Sequence, residues 1–150
     1  MEPNNALVLG GALGALVGCG VCAAIAIPNF VQMQYRAKRA EVPANIAGLM
    51  TAELAFDAAF DEWVFCPEPF PRPIEALGRD AVEWPAGSCY DELGWAPDGQ
   101  VRGTYWVEER QEDWGFVVHG MIDLDRDGVP AHYTATKSMN ATMLTPTDVY

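Results

Sequence analysis

The stretch ALVLGGALGALVGCGVCAAIAI, Ala6–Ile27, runs for 22 residues without a charged side chain. At a helical rise of about 1.5 Å per residue it would cross a hydrocarbon layer about 30 Å thick, so it reads as a membrane span. Its glycines would weaken a helix in water. In lipid such small residues let helices approach closely, and Gly10 with Gly14 has the Gly-x-x-x-Gly spacing of helix–helix contacts; equally, they are tolerated in a single lipid-surrounded anchor.

Past Pro28 the chain turns polar without losing helical character. Ile46, Leu49, Met50, Phe56, Phe60 and Trp63 recur at spacings of three, four and seven, on one stripe, with Asp57, Asp61 and Glu62 facing away. This predicts an amphipathic helix over 29–63. Pro28 and Pro43 each remove a backbone donor, so one or two kinks or a short break are expected within it.

Residues 64–99 are rich in Pro, Gly and acidic residues, with Pro67, Pro69, Pro71 and Pro73 nearly alternating, and read as a long connection. Strand character follows at Val101–Glu109, Asp113–Leu124 and Val129–Thr136. In the second of these Trp114, Phe116, Val118, Ile122 and Leu124 alternate onto one face, the pattern of a half-buried antiparallel strand. The expected fold is α+β: a long N-terminal helix packed on a small antiparallel sheet of three or four strands over 100–150. Residues 1–28 form the membrane-spanning half of the helix, and 29–150 the head.

The formal net charge is −12, and residues 41–150 hold 20 Asp and Glu against 6 Lys and Arg. Such a surface repels phosphate backbones, which argues against a nucleic-acid partner. Arg36, Lys38 and Arg39 cluster just beyond the apolar segment. Taken alone, the positive-inside bias places the head in the cytoplasm. The cysteines point the other way: Cys66 and Cys89, 23 positions apart among loop residues, suit a disulfide of an oxidising compartment, with two buried thiols as the alternative.

Reactive chemistry is sparse. Cys19 and Cys22 have redox spacing, but burial in hydrocarbon opposes the thiolate such a motif needs. With only His119 and His132 available and no cysteine cluster beside them, a zinc site is not expected. No nucleophile, base and electrostatic stabiliser assemble into a catalytic set, so no enzymatic activity is expected. Asp123, Asp125 and Asp127, followed by Gly128, gather three carboxylates around one turn. That supplies hard oxygen ligands for Ca2+, yet the glutamate that an EF-hand would place at Thr134 is missing. A solvated hairpin turn is the simpler reading. Leu16–Cys19, LVGC, also matches a lipobox, although no Lys or Arg precedes it.

An apolar helix that exits at AAIAIPNF (23–30) and continues through YRAKRAE and LMTAELAFDAAF resembles the type IV pilins and their pseudopilin relatives. Weaker similarity extends through ELGWAPDGQVRGTYWVE (92–108) and the DLDRDG hairpin (123–128). Counting back from Pro28, the buried glutamate usual in that family falls on Gly11, and the prepilin cleavage motif has no match, so processing by a prepilin peptidase is not expected. The resemblance implies a structural subunit or accessory of a type IV pilus or type II secretion pseudopilus. Its partners would be the bacterial inner membrane and other pilin-like subunits, met through the N-terminal helix around Gly10, Gly14, Pro28 and Phe30. It also implies a head on the periplasmic or extracellular side. The alternative is an anchored envelope binding protein whose acidic head takes calcium or a partner without entering a filament.

Overall fold

The computed structural model describes residues 24–112 and 114–150. Gly10, Gly14, Cys19, Cys22 and most of the Ala6–Ile27 segment lie outside them. Among the described residues no helix is long and apolar enough to cross a membrane.

Residues 24–39 form helix α1 and Glu41–Phe60 form helix α2, with a turn at Ala40 between them. The expected break therefore falls three residues before Pro43. Proline has no N–H to return to the carbonyl four residues earlier, and its ring crowds that carbonyl, here Arg39. In the first turn of α2 the missing N–H leaves no bond unmade, so the same residue that ends α1 is well placed to begin α2. Helix α2 stops earlier than the expected residue 63: Asp61 takes a left-handed conformation at φ 57°, and its N–H donates to the Asp57 carbonyl at 2.8 Å.

Among the described residues five strands make one antiparallel meander in the order β1-β2-β3-β4-β5: Cys66–Phe70, Thr104–Arg110, Gly115–Ile122, Ala131–Thr136 and Met139–Met143. The sheet is thus larger than the three or four strands expected. β1 lies inside the segment read as a loop (64–99). It holds Pro67 and Pro69 because it is an edge strand, bonded on one side only, to β2. Trp114 is also placed differently from its expected inward face. It sits in the turn between the paired Arg110 and Gly115, at φ 51° and 83% exposed. The strand proper begins one residue later, and from Phe116 the expected alternation holds, with Phe116, Val118 and Ile122 buried.

Helix α2 lies on β3, β4 and β5 and buries Val42, Ile46, Leu49 and Glu53, one residue per turn on a single stripe. Each fully buried aliphatic side chain contributes about 1.5–3 kcal/mol. Phe60, expected on this stripe, is 64% exposed, whereas Trp63 packs beyond the helix end against Phe116 at 4.9 Å between ring centres. The close approach of helix and sheet depends on Gly120, where a Cβ would stand 2.8 Å from Val42 Cγ1 and 2.9 Å from Ile46 Cδ1. At the start of α2, Glu41 Oε1 accepts the backbone N–H groups of Arg102 (2.6 Å) and Gly103 (3.1 Å), tying the helix to the approach to β2.

The connection between β1 and β2 carries two short 3-10 turns, Ile74–Ala76 and Cys89–Asp91, and a bridge between Val82 and Val101. Its order comes from aromatic packing: Trp84 contacts the rings of Phe70 (4.8 Å), Tyr90 (5.3 Å) and Trp95 (5.5 Å). Tyr90, fully buried, donates its hydroxyl hydrogen to the Tyr105 carbonyl at 3.0 Å.

Candidate functional site

Four groups of residues bear on function. The first is the surface of α1. Pro28 lies within it, and Ile25, Ile27, Phe30 and Met33 are each more than 60% exposed. Large apolar side chains left exposed on a helix are the kind of surface that lipid or another protein can cover.

The second is the disulfide. Cys66 at the start of β1 and Cys89 at the second 3-10 turn are bonded, with Cα atoms 6.0 Å apart. Of the two readings left open by the sequence, the bridge is the one realised. It joins the edge of the sheet to the middle of the long connection.

The third is the acidic turn after β3. Carboxylate oxygens of Asp123, Asp125 and Asp127 all lie within 4.8 Å of one another. Asp123, almost fully buried, accepts the backbone N–H groups of Arg126 (2.7 Å) and Gly128 (3.2 Å), and Asp127 accepts that of Val129 (2.8 Å). These bonds are the work of a turn. Arg126 at φ 63° and Gly128 at φ 83° supply its left-handed positions. Asp125 differs: its Oδ1 is buried without a hydrogen-bond partner among the described residues. Burial, reinforced by the Asp127 and Asp123 carboxylates and opposed by the backbone N–H of Asp127, raises the pKa of this carboxyl.

The fourth group was not expected from the sequence. On the face of the sheet opposite α2, His119 Nδ1 and His132 Nε2 come to 3.0 Å, beside the stacked ring of Trp106 and the carboxylate of Glu108. Thirteen residues separate the histidines, and only the register of β3 against β4 brings them together.

Two members of the basic cluster that follows the apolar segment bind residues 147–150. Arg39 donates to the Thr147 carbonyl at 3.0 Å and to that of Val149, Arg36 donates to the Tyr150 hydroxyl at 3.3 Å, and Tyr35 packs on the Tyr150 ring at 5.6 Å.

A long N-terminal helix packed on an antiparallel meander is an α+β, pilin-like arrangement. One relative agrees with it in sequence: over 44 residues, 29% of this chain, the identity is 43% to the type IV major pilin protein PilA of Myxococcus xanthus (strain DK1622). The matched stretch spans 20% of that protein's length. No family model matches the chain. No solved structure matches it.

Proposed function

We propose that this protein is a structural, pilin-like component of the bacterial cell envelope, a subunit or accessory of a type IV pilus or a type II secretion pseudopilus. The observation that carries this reading is the pilin similarity in a chain whose helix leads from an apolar segment onto an antiparallel meander. Ala6–Ile27 anchors the chain in the inner membrane, with residues 1–28 as the embedded half and 29–150 as a head on the periplasmic or extracellular side. Exposed Ile25 and Ile27 close that segment, Phe30 and Met33 extend the apolar surface beyond its end, and together they meet lipid before assembly and neighbouring helices after it. Gly10 and Gly14 allow the closest approach. The role is structural and not catalytic.

The test is fractionation of the source cells. A filament component co-purifies with sheared surface fibres or with the assembled secretion apparatus. Recovery in the membrane fraction alone, under conditions where fibres are abundant, overturns the filament role.

A second reading, an anchored envelope protein with a calcium-binding head, is favoured by one feature: the unpartnered Asp125 oxygen within the carboxylate cluster. Asp123, Asp125 and Asp127 would hold the ion. On this reading Ca2+ raises the melting temperature of the full chain in detergent, and Asp125→Asn abolishes the rise. An unchanged melting temperature removes it.

A further inference from the structure

We propose that His119 and His132 form a chelating pair for a divalent transition-metal ion, Cu2+ in preference to the others, on the face of the sheet opposite α2. The register places them there. Val118 and Ile122 of β3 are buried toward α2, so His119 between them faces the other way, directly across from Trp106 of β2. His132 of β4 lies opposite Met121, one diagonal step from His119, and the two rings stand 5.3 Å apart.

Three features prepare this pair as ligands. Trp106 stacks on His119 at 4.7 Å with an interplanar angle of 9° and lies 5.8 Å from His132, which holds both rings to a fixed orientation. The Trp106 indole N–H donates to Glu108 Oε1 at 2.9 Å, and the other oxygen of that carboxylate is 3.9 Å from His119 Nε2. That is longer than a hydrogen bond, but a negative charge on the far side of the ring still favours the tautomer with its proton on Nε2 and leaves the Nδ1 lone pair for a metal, and a small movement of the side chain would close the bond that outer carboxylates make to metal-bound histidines. Burial lowers the pKa of both imidazoles and so favours their neutral, metal-binding form; at His119 the His132 ring adds to the effect and Glu108 opposes it.

Geometry selects among ions. Two nitrogens 3.0 Å apart, each about 2.1 Å from a common ion, subtend about 90° at it. That is the angle between neighbouring ligands in square-planar or octahedral coordination and is narrow for tetrahedral Zn2+. Imidazole affinity among divalent ions also peaks at Cu2+. On binding, the hydrogen now shared between the rings moves to His132 Nδ1, so both rings stay neutral and water fills the remaining positions. With a His119 side chain still 16% exposed, solvent can reach the pair.

The experiment titrates Cu2+ into the full chain in detergent, following tryptophan fluorescence and the electron paramagnetic resonance spectrum. Expected is a saturable quench, since Trp106 adjoins the ion, with coupling to two imidazole nitrogens. Glu108→Gln weakens binding about tenfold by loosening His119. His132→Gln loses the two-nitrogen signature, and Asp125→Asn keeps it, which separates this site from the acidic turn. A wild-type spectrum without imidazole coupling overturns the proposal whether or not the histidine variants fold, as does a His132→Gln protein that binds like wild type.

Discussion

Glu53 occupies a turn of α2 that the helical repeat reserves for the core. It is fully buried, Oε2 accepts the Val64 N–H at 3.1 Å, and Oε1 has no partner among the described residues. Burial pushes its pKa from 4.5 up to about 7, with the Val64 bond pulling the other way. The titratable group sensing it is Tyr90, whose phenol is raised first by its own burial and then by the Glu53 charge. Because the folded pKa lies above the unfolded one, the folded state holds a proton between pH 4.5 and 7 that the unfolded state has released. Stability from this group is therefore greatest below pH 4.5, falls as pH rises, and levels off above 7 after a loss of about 3 kcal/mol. Glu53→Gln keeps an acceptor for Val64 and removes the charge. In urea denaturation it should be more stable than the parent at pH 8, with the advantage shrinking toward pH 5. Parallel curves at the two pH values would contradict this account.

Elements meet closely only where side chains are absent, and Gly120 is the clearest case. A Cβ there would fall within 3 Å of both Val42 and Ile46, so Gly120→Val must push α2 away from β3. Overpacking of this kind costs about 3 kcal/mol, which for a head of this size lowers the melting temperature by roughly 10 °C. An unchanged melting temperature would mean that the helix does not rest on this strand. The disulfide acts at the same scale. Closing a loop of 23 residues stabilises the fold by about 3 kcal/mol, so Cys66→Ala paired with Cys89→Ala should lower the denaturation midpoint, and reductant should leave that variant unaffected while destabilising the parent. Of the central strands, β3 was legible in the sequence because it is buried on one face and alternates accordingly, while β2 and β4, buried at successive positions, were legible through their aromatic and β-branched residues. The two that escaped, β1 and β5, are the edges of the sheet. An edge tolerates the prolines of β1, and in β5 Met139, Asn140 and Thr142 are exposed, so neither carries the period-two signal. Glu53 escaped for a related reason: a carboxylate interrupts the apolar stripe that identifies a helix face. The histidine pair is invisible by spacing alone, since its two members meet across strands whose register the chain does not announce.

For the whole molecule, the decisive division is between Tyr35–Tyr150, which forms one compact unit, and the residues before it. The boundary falls inside α1, so the last turn of that helix belongs to the head. There Tyr35, Arg36 and Arg39 hold the C-terminal residues 147–150, while Arg79 donates to both the Tyr35 hydroxyl (2.6 Å) and the Leu124 carbonyl (2.8 Å). The C-terminus in turn accepts the Leu124 N–H through the Tyr150 carbonyl at 2.8 Å, at the end of the strand that precedes the acidic turn. A chain beginning at Tyr35 retains every one of these contacts. One beginning at Glu41 keeps the whole of α2 and all five strands yet loses the aromatic pair and the arginine bonds, which together are worth about 3 kcal/mol. Both should show a single cooperative unfolding transition, with the shorter chain less stable by that amount. Amide exchange in the shorter chain should also lose protection first at Leu124, whose N–H is bonded to Tyr150, and at Val149, whose N–H is bonded to Pro146. Equal stability of the two would place the lower boundary of the head at α2 and leave the basic cluster free to serve the membrane surface.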